Sequence, residues 1–235
     1  MKKTTLLLNT LFLISIIIVF TGCPSEDIIK DIDHNQYKTV KIGDQIWMAE
    51  NLRVTHYSDG TEIEYIADPN KWKNSNSGAY CDFENNSVNA KTYGHLYNWY
   101  AVNNNRKIAP KGWHVANKSD WDTLIKYIEG LTNAGIMLKE SGTAHWLASD
   151  CCLGTNKTGF TALGASYRGT DGGWGQVPQS SIRAQTGWWV ISDSCFPGAL
   201  YFALSYDMPY GFFDCVHNDP EYKKNGRSVR FVKDK

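Results

Sequence analysis

Apolar residues recur with helical spacing most clearly at Trp121, Leu124, Ile125 and Ile128, positions i, i+3, i+4 and i+7 of one turn pattern. This predicts an amphipathic helix over residues 119–129, with Asn117 or Ser119 as its N-cap and Gly130 as its stop. Upstream, Tyr37 to Ile42 and Gln45 to Met48 read as two strands joined by a Gly43-Asp44 turn, a hairpin. Beyond Gly159, short apolar or aromatic runs at 160–167, 187–191, 199–204 and 228–232 alternate with Gly, Pro, Asn and Asp clusters, the signature of a late sheet. Between these regions, residues 67–89 are rich in Asn, Ser, Lys and Asp and predict a surface excursion around Gly78-Ala79-Tyr80-Cys81. The aromatic stretch from Tyr93 to Val102 fits either a strand or a helix. An early helix, a late antiparallel sheet and long irregular loops together predict an α+β fold.

One apolar run fits none of these elements. It begins at Leu6 behind Lys2 and Lys3 and ends at Ile17-Ile18-Val19-Phe20-Thr21-Gly22-Cys23. A basic start, an apolar stretch and small residues before a cysteine resemble the bacterial lipobox, in which cleavage leaves a lipid-modified cysteine at the new N-terminus. An uncleaved membrane anchor fits less well, because Asn9, Thr10 and Ser15 interrupt the run and it stops after about fifteen residues. Residues 1–22 are therefore expected to be a lipoprotein signal peptide, with Cys23 lipidated. Residues 23–36, acidic and polar, are expected to be a flexible tether, and 37–235 one domain. The expected location is extracytoplasmic and membrane-anchored, on an outer-membrane, periplasmic or surface face.

Composition narrows the partners. Of 24 basic residues Lys2 and Lys3 fall in the leader, leaving 22 against 24 acidic ones, a balance with no nucleic-acid footprint. Nine Trp and 13 Tyr are either core or ligand platform. Beyond Cys23 stand Cys81, Cys151, Cys152, Cys195 and Cys215, an odd number that cannot all pair within one chain. Disulfides are permitted in an exported protein, and the favoured pair is Cys195 with Cys215, which bracket a Gly/Pro-containing segment. Adjacent Cys151 and Cys152 are expected to reach different distant partners, since a ring closed between neighbours strains the peptide joining them. Zinc is disfavoured: no Cys-x-x-Cys occurs and the six histidines are scattered.

A series of ordered motifs resembles the Fibrobacter succinogenes major paralogous domain over nearly all of the expected mature chain. It comprises Val40-Lys41-Ile42-Gly43-Asp44-Gln45-Ile46-Trp47-Met48-Ala49-Glu50-Asn51-Leu52-Arg53, then Tyr93-Gly94-His95-Leu96-Tyr97-Asn98-Trp99-Tyr100-Ala101-Val102. Ala109-Pro110-Lys111-Gly112-Trp113-His114-Val115 and Leu138-Lys139-Glu140-Ser141-Gly142 follow, then Gly159-Phe160-Thr161-Ala162-Leu163, Gly187-Trp188-Trp189 and Gly226-Arg227-Ser228-Val229-Arg230. The Gly-Trp-His-Val segment followed by Asp120-Trp121 is also similar to formylglycine-generating-enzyme domains, which implies a C-type-lectin-like fold. Two segments depart from the family pattern, Leu163-Gly164-Ala165-Ser166-Tyr167-Arg168 and Val190-Ile191-Ser192-Asp193-Ser194. The resemblance brings no settled activity with it.

Enzymatic chemistry has little to stand on. Ser166 lacks the second glycine of a nucleophile elbow and reads as a strand residue near the core. Carboxylates are too plentiful for sequence to choose a catalytic pair. Asp68-Pro69-Asn70 and His217-Asn218-Asp219-Pro220 superficially resemble calcium motifs, but calcium is not favoured and no other cofactor is implied. Trp47, Trp99, Trp113, Trp121 and Trp188 lie in regular segments and are expected in the core. The expected ligand surface is Trp174, flanked by glycines, with Tyr210 and with Trp189 facing away from Trp188. The resulting reading is a binding or adhesion role toward a glycan or surface protein; the alternatives are an enzyme on surface polysaccharide or protein, and a structural subunit of a surface assembly.

Cells fed a fatty-acid analogue should label the wild-type protein at Cys23 and leave Cys23→Ser unlabelled and released from the membrane fraction. Equal labelling of the two, or an unaltered membrane fraction in the variant, contradicts the lipobox reading.

Overall fold

A computed structural model describes residues 28–174, 181–215 and 219–235. The apolar run and Cys23 lie outside the described residues. Among those described, the chain runs β1 (Ile29–Lys30), β2 (Gln36–Tyr37), β3 (Thr39–Ile42), β4 (Gln45–Met48), β5 (Glu64–Tyr65), α1 (Pro69–Asn74), β6 (Ala79–Cys81), α2 (Ser87–Tyr93) and β7 (Leu96–Tyr97). It continues through α3 (Trp99–Val102), β8 (Trp113–Val115), α4 (Lys118–Tyr127), α5 (Ala134–Leu138), β9 (Gln185–Val190), β10 (Leu200–Ser205), β11 (Gly211–Cys215) and β12 (Phe231–Lys233). This is an α+β arrangement in which every strand pairing but β5 with β6 is antiparallel. No helix among the described residues is long and apolar enough to cross a membrane.

The ends of the domain are stitched together. The β3–β4 hairpin turns at Gly43, whose φ of +60° suits glycine. Strand β12 then inserts between β4 and β8, with Val232 opposite both Trp47 and His114. Helix α4 begins where the sequence placed it, because Asn117 and Asp120 form a reciprocal capping box at its N-terminus. Its apolar stripe carries Trp121 into a cluster with Trp47 (ring centroids 5.0 Å apart), Phe202 (4.4 Å) and Trp188 (5.8 Å).

Three apolar clusters fill the molecule. The first packs α4 and α5 against the inner face of the β9–β10–β11 sheet. The second gathers Met48, Tyr97, Trp99, Trp189 and Phe231 against part of that sheet's other face. The third draws Trp72, Cys81 and Phe83 from the stretch that composition marked as a surface excursion and packs them with Ile66 and Leu96 on either side of it. That excursion is a correction: Trp72 is buried and donates from Nε1 to the Lys224 carbonyl at 2.7 Å, so a few apolar anchors fold a mostly polar segment. The aromatic stretch after Tyr93 contains both expected elements, β7 and α3.

The expected tether also folds from Ile29 onward. Ile29 and Tyr37 are buried across the β1–β2 pair, and the Tyr37 hydroxyl donates to Asp31 Oδ2 at 2.5 Å. Polar composition concealed these two apolar contacts.

The cysteines pair differently from expectation at one place. Cys195 and Cys215 stand in disulfide geometry with Cα atoms 5.8 Å apart. Cys151 and Cys152 pair with each other instead of with distant partners. The physical reason is reach. Cys195 and Cys215 are matched to each other, and Cys81 is enclosed in the third cluster, where burial pushes its thiol up to about 12.

His114 ties the C-terminus to α4. Its Nε2 lies 2.9 Å from Asp120 Oδ2 and its Nδ1 2.6 Å from Asp234 Oδ1, so both ring nitrogens face carboxylates. Burial alone would lower its pKa, but the bonds to Asp234 and Asp120 outweigh burial and raise it. A raised histidine pKa gives stability that is complete below the unfolded value near 6.5 and fades as pH climbs through the folded value. Wild-type Tm should therefore fall relative to that of His114→Gln between about pH 6 and pH 8. Parallel Tm profiles of the two proteins across that window would contradict this.

Candidate functional site

The period-two alternation of the late sheet decides what it can offer. On one face Trp188, Val190, Phe202, Leu204 and Phe213 enter the first cluster. Gln185, Gly187 and Trp189 of β9, Tyr201 and Ala203 of β10, and Phe212 and Asp214 of β11 take the other face. At one end of that second face Trp189 is covered by the second cluster, against which the half-buried Tyr201 packs while still lining the cleft. At the other end the face is uncovered and forms the floor of a cleft of about 540 Å³. Its walls are the loop from Tyr167 to Asp171 and the 3-10 turn Pro220–Lys224 with its flanks Asp219 and Asn225.

At the base of this cleft lies Arg227, only 6% exposed. Gly187 makes its position possible, since a Cβ there would stand 2.7 Å from Arg227 Nη1. The guanidinium stacks under Tyr201 with 3.3 Å to the ring centroid, and Tyr167 and Trp189 lie 5.2 and 5.7 Å away. Among the described residues no carboxylate comes within ion-pair distance of it, and its Nε has no hydrogen-bond partner. Burial lowers the Arg227 pKa, and the nearby Tyr201, Tyr167 and Asp214 oppose that shift. An arginine remains charged even so. A buried cation held by π faces thus sits beneath an open cleft.

Around it stand oriented acceptors. The Tyr201 hydroxyl donates to Asp214 Oδ2 at 2.5 Å; burial and this bond push Tyr201 up to about 12 despite Arg227. Asp171 Oδ1 accepts from the Gly173 amide at 2.9 Å, and Asp219 Oδ1 from the Glu221 amide at 2.9 Å. Glu221 Oε2 accepts from Lys224 Nζ at 2.7 Å. Each carboxylate is fixed by a local donor while lining the cleft. Tyr167, Tyr222 and Phe212 add aromatic surface, and Gln185 and Asn225 add amides that both donate and accept.

Two cavities of similar size have another character. One, of about 560 Å³, is lined by Glu50, Arg53, Glu140 and Arg230, but Glu50 pairs with Arg53 at 3.1 Å and Glu140 with His145 at 2.7 Å. The other, of about 570 Å³, runs past Trp113 and His114 to Asp234, where the carboxylate is bonded to His114. Among these three, the cleft over Arg227 combines several aromatic faces with preset acceptors and donors.

The three aromatics expected at a ligand surface lie apart. Trp189 does face away from Trp188, yet it is 1% exposed, stacks edge-on against Trp99 at 5.4 Å and donates from Nε1 to the Tyr97 carbonyl at 2.7 Å. It is a core residue, because both faces of the sheet are covered at that point. Trp174 is half-buried against Phe83 (5.0 Å) and the Arg168 guanidinium (5.1 Å). Gly172, two residues before it, serves close approach: with φ +80°, a Cβ there would lie 2.2 Å from the Pro69 carbonyl oxygen. Tyr210 is exposed at the tip of the β10–β11 hairpin and does not line the cleft.

Asp68 and Asp219, from the two calcium-like motifs, cap helical turns at the Lys71 and Glu221 amides; His217 and Asn218 lie outside the described residues. Ser166 is buried, as its reading near the core implied. Trp113, expected in the core, is half-buried beside His114.

Sequence reasoning missed Tyr167, Tyr201, Tyr222 and Arg227 as one set. No local signal could have found them, because Gly187 and Arg227 meet only in the fold and nothing in the sequence brings residues 187 and 227 together.

No similar curated protein and no similar solved structure was found. The model of the Fibrobacter succinogenes major domain matches residues 40–233, from within β3 to the end of β12, and spans the cleft and the three clusters apart from Ile29 and Tyr37. The chain is a member of the Fibrobacter succinogenes major domain family.

Proposed function

We propose that the protein is a lipid-anchored, extracytoplasmic binding protein whose cleft over Arg227 takes a glycan. The observation that carries this reading is the coexistence, in about 540 Å³, of aromatic faces, four locally fixed carboxylates and amide donors. A saccharide presents both: weakly apolar ring faces for stacking, and hydroxyls that donate and accept in a ring around them. Four carboxylates against the Arg227 guanidinium and the Lys224 ammonium leave the cleft acidic on balance and repel uronic or sulfated sugars. An uncharged saccharide is the ligand class that fits. The fold reading that accompanies this proposal is C-type-lectin-like; the close pairing of the early strand β4 with the last strand β12 supports it.

Tyr222 and Asp171 are the residues to change, because both line the cleft and neither is in the buried core. On an array of neutral and acidic glycans, Tyr222→Ala and Asp171→Asn should each weaken binding to the neutral glycan the wild type prefers by about 10- to 100-fold, or about 1.4 to 2.8 kcal/mol. Tyr210→Ala should bind as wild type, with all three variants keeping the wild-type Tm within a few degrees. Unchanged binding in the first two variants, or a preference for acidic glycans, contradicts the proposal. New reducing ends appearing on incubation with the preferred glycan would move the carboxylates to a hydrolytic role.

A further inference from the structure

We propose that the free edge of β8 takes up an extended peptide of a partner protein as an added strand, in the cavity of about 570 Å³ beside Trp113. This cavity shares no lining residue with the cleft over Arg227, and the inference does not rest on the glycan reading. Strand β8 is the last of its four-stranded sheet, with β12 on one side and no strand on the other. The register says which backbone groups face each side. Ala116 donates to the Arg230 carbonyl at 3.0 Å and the Gly112 carbonyl accepts from the Asp234 amide at 2.9 Å, one residue beyond each end of the β8–β12 pairing. Bonded and unbonded pairs alternate in an antiparallel ladder, so Trp113 and Val115 turn their N–H and C=O groups to the open edge. There the Trp113 amide is met by the Pro110 carbonyl at 3.1 Å. The Trp113 carbonyl and both backbone groups of Val115 have no hydrogen-bond partner among the described residues, although Val115 is only 9% exposed. Groups so placed cost stability unless water or a ligand meets them.

The cavity lies along this edge. Trp113, His114 and Val115 all line it, although successive residues of a strand face opposite sides. A hollow that reaches all three runs beside the strand, not over one of its faces. Its other wall includes the buried Ile108 and the exposed Asn103 and Asn105. That wall selects the occupant: a walled hollow admits a single strand, whereas edge-to-edge pairing with a second copy needs an open flank. Chemistry selects it further. A residue in an extended peptide presents its N–H and C=O on the same side, as Val115 does, so the two can exchange both bonds. The acetamido group of a sugar, being a trans amide, points its N–H and C=O in opposite directions and meets only one of them. Trp113 and Ile108 offer apolar surface to the peptide's side chains, and Asn103 and Asn105 offer amides to its outer edge.

Hydrogen exchange read by NMR on the full chain tests the edge, and a peptide library tests its occupant. In the free protein the Val115 amide should exchange at least tenfold faster than that of Ala116. Random twelve-residue peptides displayed on phage, first depleted on Val115→Pro, should yield binders that slow Val115 exchange at least tenfold at saturation. Proline there removes the edge donor and leaves every bond to β12 in place. Synthetic binders carrying one N-methyl group at each position in turn should lose at least tenfold in affinity at alternate positions and less than twofold between them. Only every second peptide N–H faces β8, so this period of two marks an added strand. Tyr222→Ala should bind the same peptides as wild type does. A library that yields no peptide preferring the wild type, or N-methyl losses without that period, overturns the inference. So does a Val115 amide already protected in the free protein; if sedimentation then shows a dimer, the edge belongs to a second copy. The N-methyl series changes nothing in the protein, so binders selected without depletion decide the question even where Val115→Pro fails to fold.

Discussion

A single buried guanidinium, that of Arg230, sets the terms for the rest of this fold. It is 1% exposed and donates to the Met48 carbonyl at 2.8 Å, the Phe160 carbonyl at 2.7 Å, the Thr161 carbonyl at 3.1 Å and Asn51 Oδ1 at 2.8 Å. Asn51 is the second node: its Oδ1 also accepts from Trp188 Nε1 at 2.9 Å, and its Nδ2 donates to the Tyr93 carbonyl at 2.8 Å and to Ser228 Oγ at 3.2 Å. Burying a cation costs several kcal/mol unless its donors are met, and here backbone carbonyls and an amide meet them. The start of the domain, the loop at Phe160, strand β9 and the C-terminal strand must therefore all be in place at once. This polar knot accounts for the closing of a chain whose strands are short and whose loops are long.

From that knot the site follows. Arg230 and Asn51 hold Trp188 on the inner face of β9, which fixes by alternation that Gly187 and Trp189 look outward. The second cluster covers Trp189, and Arg227, three residues before Arg230, occupies the slot left by Gly187. Core and cleft are thus two faces of one sheet, joined through the Gly226-Arg227-Ser228-Val229-Arg230 segment, which supplies a structural arginine to one and a cleft arginine to the other.

Much of the fold was legible from local patterning. The α4 stripe with its Asn117 cap, the turn at Gly43 and the runs that became β9 and β10 all express periodicity and punctuation that sequence displays directly. Strand β11 was hidden among glycine and proline, and α1 and α2 among asparagines and lysines, because their places depend on Trp72, Cys81 and Phe83 packing with distant segments. The candidate site was the least legible part. Glycine flanks made Trp174 look exposed, but Gly172 serves the approach of Pro69, and Trp189 was placed on the correct face of a sheet that is covered on both sides at that point. Recognising the cleft requires knowing that residues 167, 201, 222 and 227 converge, which is long-range information.

The central claim is that Arg230 and Asn51 act as one unit. Urea denaturation of wild type, Arg230→Met, Asn51→Ala and the double variant measures this most directly. Each single change should cost about 3 to 5 kcal/mol, as removal of one member of a buried charged network does. The double change should cost at least about 1 kcal/mol less than the sum of the two. Single costs that add to within about 0.5 kcal/mol would show two independent contacts and contradict the account.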